Sequence, residues 1–327
     1  MKSESSTKSE STQSNVSTQS NVSSQSSASA PSLVLGDVEV VRVVEWQGAF
    51  APARSLVPDS RAELWQDNEE WLAPHHWEPE SDSAAGAVQS WVLRSSGRTV
   101  LIDTGVGMGR ERPGSPMFHH WQGDLLGGLA RAGIRPEDVD VVVNTHVHGD
   151  HVGGNTVGTE GGWEPAFPNA QYLIPAADDF HYGPDNGYGG GTGRPDDQLM
   201  YEDSIAPIHR AGLSVLWDGA HRIDENLTLE SAPGHTPGSS VLRLASGDDR
   251  AVFVGDLLHS PVQILDPSCN SCFCLNAEQA VASRRRILER AATERELLVP
   301  AHFGGAGAVE VRQEGGGFTL GRWAAQG

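Results

Sequence analysis

Between Thr145 and Gly154 the chain places His146, His148, Asp150 and His151 within six residues. Neutral imidazole and carboxylate are the donors that borderline divalent ions such as zinc prefer. Four donors on so short a segment cannot wrap round one tetrahedral ion, but they can face two ions lying side by side. The chemistry expected of such a segment is two-metal hydrolysis.

Three more donors lie downstream, each just after an expected strand. His235 follows Ala232, Pro233 and Gly234; Asp256 ends the run Val252 to Gly255; His302 ends Leu297 to Ala301. A strand followed by one donor, with Gly or Pro beside it, collects loop donors at one edge of a sandwich.

The strands that must position them are visible as apolar and β-branched runs. Expected strands are Val38–Trp46, Ser90–Leu93, Thr99–Asp103, Val139–Asn144, Gln171–Ile174, Leu213–Trp217, Leu227–Glu230, Ser240–Leu244, Ala251–Val254, Leu297–Pro300 and Phe318–Trp323. Helices are expected over Leu125–Ala132, stopped by Gly133, and over Ala277–Ala292 with Asn276 as its N-cap. The expected fold class is α/β (α+β), with two sheets face to face and helices outside. A boundary between two similar halves is expected in the Gly/Asp-rich stretch Gly183–Asp197.

The 327 residues suffice for one large domain. Residues 1–32 are almost all Ser, Thr, Gln, Asn, Lys and Glu, and Ser11–Val16 repeats as Ser17–Val22. Such a segment cannot offset its chain entropy and reads as a disordered tail before a single domain over 33–327. The net charge of −20 argues against a nucleic-acid substrate. Neither a membrane-length apolar run nor a signal core is visible, so a soluble cytoplasmic protein acting on a small molecule is expected. Oligomeric state is open, a homodimer among the options. Cys269, Cys272 and Cys274 form a poor disulfide framework and read as ordinary free thiols.

In order, Leu101-Ile-Asp-Thr-Gly105, His146-x-His-x-Asp-His151, His235, Asp256 and His302 resemble the metallo-β-lactamase-fold hydrolase superfamily, from about Val38 to about Trp323. The resemblance implies a four-layer αββα sandwich. It implies that His146, His148 and His235 hold one metal, that Asp150, His151 and His302 hold the other, and that Asp256 bridges them. Asp103 would orient the ligand loop without ligating. Two divalent ions, zinc first and iron, manganese or cobalt as alternatives, set against two carboxylates and a hydroxide leave about one positive charge at the site. A hydroxide bridging the ions would attack, with Asp150 or Asp256 serving the leaving group's proton.

Within the superfamily, Gly255-Asp-Leu-Leu-His259, the helix with Ser283-Arg-Arg-Arg286 and Pro300-Ala-His-Phe303 resemble the lactonase and methyl-parathion-hydrolase branch. That branch implies cleavage of an ester or lactone. Thioesterase (glyoxalase II-like), phosphotriesterase and β-lactamase activities are alternatives, as is a non-catalytic protein stabilised by its metals.

Other residues carry weaker expectations. His259 could contact substrate or be a structural histidine. His119 and His120 could lie on a flap or on a solvated loop. His75 and His76, beside Trp71 and Trp77, could form a lid, though packing is the commoner use of such a stretch. Arg284–Arg286 are expected to face water. His181, His209 and His221 match no motif.

Overall fold

The computed structural model describes residues 32–191 and 194–324. The expected tail therefore lies outside the described residues except for Ser32, which opens a strand, Ser32–Leu35, paired antiparallel with Val38–Val41.

Two large sheets carry the described fold. In the first, Ser32–Leu35, Val38–Pro52, Ser83–Ser95 and Arg98–Ile102 pair antiparallel; Val141–Val143, Gln171–Pro175 and Ser214–Trp217 then add in parallel. The hairpin at Ser95 turns through Ser96 and Gly97, both with positive φ, as a tight two-residue turn requires. In the second sheet, Ala220–Arg222, Leu227–Ser231, Ser240–Ser246 and Asp249–Gly255 run antiparallel. Leu297–Pro300 joins Asp249–Gly255 in parallel, and Val309–Glu314 and Gly317–Trp323 complete the order.

The strand pattern sets the layers. Val141 and Val143 point into the core between the sheets, with Trp91, Val100, Leu229, Leu242, Phe253 and Val299. Val142 points the other way and packs with Leu125 and Leu129 of the Leu125–Arg131 helix and with Ile205 and Ile208. Alternate residues thus serve two cores, so the strand shows no apolar–polar alternation. In the second sheet Ala251 and Phe253 face the first sheet, whereas Val252 and Val254 meet Ile287, Leu288 and Ala291 of the Ala277–Glu294 helix. The result is helices, sheet, sheet and helix, the expected four layers.

The Ala277–Glu294 helix starts where Asn276 accepts a hydrogen bond from the Gln279 N–H at 3.1 Å. It ends at Arg295, whose left-handed φ of 58° breaks the helical path. Ile287 and Leu288 are fully buried, each contributing about 1.5–3 kcal/mol.

Two expectations change, and of the two readings of the His75–Trp77 stretch the packing one holds for His76 and Trp77. Arg284 does not face water: it is fully buried. Position 284 lies four residues from both Ala280 and Leu288, on the helix stripe that meets the sheet. The first sheet ends at Trp217 and the second begins at Ala220, so the chain changes sheets there and not within Gly183–Asp197. His76 and Trp77 are buried packing residues, with His76 stacked on Trp323 at 4.8 Å. Trp71, His75 and an edge of His76 line an open groove of about 630 Å³ with Gln47, Gly305 and Trp323. Among the described residues, no helix is long and apolar enough to cross a membrane.

Candidate metal centre

All seven donors sit where strands end. His146 to His151 follow Val141–Val143, His235 follows Leu227–Ser231, Asp256 follows Asp249–Gly255 and His302 follows Leu297–Pro300. Three of these strands, Val141–Val143, Asp249–Gly255 and Leu297–Pro300, belong to parallel pairs whose C-terminal ends carry the donors, the usual place for a site in such sheets. Gly255 lets the second sheet come close. Its φ is +48°, and a Cβ there would stand 2.7 Å from Thr145 Oγ1.

The seven side chains converge as two sets of donors, and the bridging Asp256 falls with the first: His146, His148, His235 and Asp256; and Asp150, His151 and His302. His148 Nδ1 lies 3.1 Å from His146 Nε2 and 3.0 Å from His235 Nε2. Asp256 spans both sets. Its Oδ2 is 3.3 Å from His235 Nε2 and 3.7 Å from His146 Nε2, and its Oδ1 is 3.1 Å from His151 Nε2 and 3.0 Å from His302 Nε2. Asp150 Oδ2 is 3.5 Å from His302 Nε2.

The far nitrogen of each ring is also engaged. His151 Nδ1 donates to Asp103 Oδ2 at 2.8 Å, and His302 Nδ1 to the Ala87 carbonyl at 2.9 Å. His148 Nε2 meets the Tyr182 hydroxyl at 2.8 Å, and His146 Nδ1 meets Thr145 Oγ1 at 3.1 Å. Asp103 also accepts from the Thr145 N–H and hydroxyl, both at 2.8 Å, so it orients the loop as expected. It does so from a left-handed φ of 54°, a strained setting for a non-glycine residue.

These partners fix the tautomers. His151 and His302 donate outward to oxygens that can only accept, and Thr145, whose hydroxyl donates to Asp103, accepts from His146, so in these rings when neutral the inward nitrogen carries a lone pair. His151 Nε2 and Asp256 Oδ1 are buried and lack an aligned hydrogen-bond partner despite their 3.1 Å approach. Converging lone pairs and an unsatisfied carboxylate oxygen are what a pair of cations would satisfy, so the donor set fits two divalent ions.

Electrostatics divide the rings, and without metal Asp256, against the effect of burial, draws protons onto His151, His302 and His235. Burial, reinforced by neighbouring histidines, pushes His146 and His148 well below the usual histidine range. Burial opposes charge on His235 too, but hydrogen bonding and attraction from Asp256 outweigh it, raising the ring to about 9. Burial likewise opposes charge on Asp256, and the surrounding histidines, His151 and His302 foremost, hold it well below the carboxylate range.

Sequence reasoning missed several residues. Asp178 is fully buried and accepts from the Val147 N–H at 2.9 Å, the Thr236 hydroxyl at 2.7 Å and the Gly238 N–H at 2.5 Å. It therefore ties the loop of His146 and His148 to the loop of His235. Nothing near Asp178 in the sequence signals this, because its partners lie 31 to 60 residues away. Asp178→Ala would strand three buried donors and is expected to cost about 3–5 kcal/mol. A denaturant midpoint equal to that of the unaltered protein would contradict this.

His259 lies against the site. Its Nε2 is 3.1 Å from Asp256 Oδ2, its Nδ1 has no partner, and burial lowers it to about 4. Beside it stands Phe273, half exposed, with ring centroids 5.8 Å apart. His119 and His120 belong to neither donor set. They stack on each other, His120 Nε2 is 2.7 Å from Glu111 Oε1, and all three are exposed or partly so. His209 bonds Asp179 and Ser214, a structural use.

Comparison with known proteins gives the same picture. The family model described as the metallo-beta-lactamase superfamily matches residues 84–302. The human metallo-beta-lactamase domain-containing protein 1 is 35% identical over 74 residues, a match that spans only 23% of either chain. Among solved structures, AidC, a dizinc quorum-quenching lactonase in complex with a product, aligns with a TM-score of 0.75 and 21% identity, covering 91% of this chain and 99% of its own. The hydrolase AbOPH of the beta-lactamase superfamily aligns at 0.72 and 19%, covering 90% and 97%. AiiA from B. thuringiensis, with N-decanoyl-L-homoserine bound at its active site, aligns at 0.57 and 15%, covering 84% and 94%. These structures share the fold. Because the family model spans the region from Ala84 to His302, which carries all seven donors, the chain belongs to the metallo-β-lactamase superfamily.

Proposed function

We propose that this protein is a metal-dependent hydrolase that cleaves the ester or lactone bond of a small molecule, using two divalent ions, zinc by preference. The observation that carries the reading is the sharing of one carboxylate, Asp256, between two converging sets of donors. When bound, such an ion pair supplies Lewis acidity and acidifies water near neutral pH. The chain's own residues do the rest. His146, His148 and His235 would hold one ion, Asp150, His151 and His302 the other, and Asp256 would fix their separation.

Asp150 is the more accessible of the two carboxylates, its side chain 17% exposed against 4% for Asp256. It is the better placed to carry a proton to the leaving alkoxide. His259, close to Asp256 and with a free Nδ1, walls the cleft beside the reacting bond. Phe273 offers an apolar surface next to it for an acyl or alkyl substituent. Preference for lactone and ester over phosphotriester draws support from the shared fold with AidC and AiiA. The acidic chain, at −20, favours a small substrate over nucleic acid.

The test combines elemental analysis with a panel of lactone, aryl-ester, thioester and phosphotriester substrates. The expected result is two ions per chain, with lactone or aryl ester cleaved fastest. Full activity in metal-stripped protein, or turnover confined to thioesters or phosphotriesters, would overturn the reading.

A further inference from the structure

We infer that Cys274 is a positioning residue of this centre: its sulfur accepts the Nδ1 proton of His235 and so holds the ring with Nε2 toward the metal. The inference rests on the metal-centre reading above and adds an outward partner that neither spacing nor family membership assigns.

The other four ligating rings each meet an oxygen on their outward side: those of Asp103, Ala87, Tyr182 and Thr145. For His235 the partner is Cys274 Sγ, 3.9 Å from Nδ1, a distance that fits the larger sulfur atom. The contact is built into the backbone. The Leu275 N–H donates to the His235 carbonyl at 3.0 Å and the Asn276 N–H to the Gly234 carbonyl at 2.9 Å. Ser283 on the following helix donates to the Pro233 carbonyl at 2.7 Å. Gly234 makes this possible: with φ +134°, it lies where a Cβ would stand 2.1 Å from the Ala280 nitrogen.

The sulfur has two other polar neighbours, of which the cationic one favours an acceptor. Ser271 Oγ is 3.6 Å away. The guanidinium of Arg284 lies beside it. Arg284 is fully buried and donates to the Leu257 and Pro267 carbonyls and to Asn270 Oδ1. The polarisable sulfur is a further electron-rich group beside it. This accounts for an arginine on the buried stripe of that helix.

Without the acceptor, the His235 ring loses its preferred tautomer and orientation. Loss of an outer partner of a ligating histidine typically weakens metal binding about 10–100-fold. The test is a zinc competition titration against a chromophoric chelator, with the cobalt(II) absorption spectrum as a second readout. It is run on the full chain and on Cys274→Ala, Cys274→Val, Cys274→Ser and Cys272→Ala. The expected result is two ions in the unaltered protein and in Cys272→Ala with equal affinities. In Cys274→Ala one ion is weakened about 10–100-fold with a changed cobalt spectrum, the other ion is unaffected, and Cys274→Ser recovers part of the loss. If the alanine variant does not fold, Cys274→Val, which keeps the volume and removes the acceptor, carries the same expectation. Unaltered affinities and spectrum in either variant would overturn the inference. Unaltered protein that binds no ion would instead overturn the metal-centre reading, a result visible before any variant is compared.

Discussion

Asp256→Ala is expected to lower hydrolysis by at least about 10³-fold and to leave the chain with fewer than two ions, while the protein stays folded. The carboxylate places an oxygen toward each donor set, with His151 and His302 at one oxygen and His235, His259 and His146 around the other. Removing it leaves two incomplete sets and nothing to fix the separation of the ions. The fold should survive because Asp256 anchors no loop. Its Oδ1 has no hydrogen-bond partner, whereas Asp103 and Asp178 hold the ligand loops through backbone amides. His151→Ala should act similarly by emptying the second set. Circular dichroism, elemental analysis and kcat/KM on the same preparation decide the matter. Turnover within tenfold of the unaltered enzyme would remove Asp256 from the centre.

Stripping the metals should destabilise the protein more than any surface substitution. At a free-ion concentration a thousandfold above Kd, each bound ion contributes about 4 kcal/mol. Two ions would shift the melting temperature of a chain this size by roughly 10 °C. The shift should also depend on pH, with a definite sign. In the metal-free protein the ring of His235 is raised to about 9. A raised histidine contributes stability that is complete below its unfolded value, near 6.5, and is lost as pH rises through about 9. Metal binding, by contrast, competes with that proton and strengthens as pH rises. The gap in melting temperature between loaded and stripped protein should therefore widen from about pH 6.5 to 9. Calorimetry with and without chelator tests this, and a gap that is absent or narrows over that range would contradict it.

The site was legible in the sequence where its parts are short-range. Four donors within six residues, and three more each following a β-branched run, need only the local chain to be noticed. The long strands were legible for the same reason, since Val141–Val143 and Asp249–Gly255 are dense in residues that suit a buried sheet. Ala220–Arg222 and Val309–Glu314 were not, because the first is a three-residue edge strand and the second alternates over only Val309 to Val311 before turning polar. The helices between Ala176 and Arg210 were missed because Gly, Asp and Pro interrupt any apolar spacing there.

By itself the sequence determined the donor types, their order and the strands that carry them, because metal affinity and strand preference reside in side-chain chemistry and in neighbours one to six residues apart. Tertiary structure alone decided that Asp178 ties two ligand loops together, that Tyr182 and Cys274 back individual histidines, and that Arg284 is buried. These depend on contacts between segments well separated along the chain, with directions set by the crossing of two sheets. Chain spacing carries no record of where such segments meet.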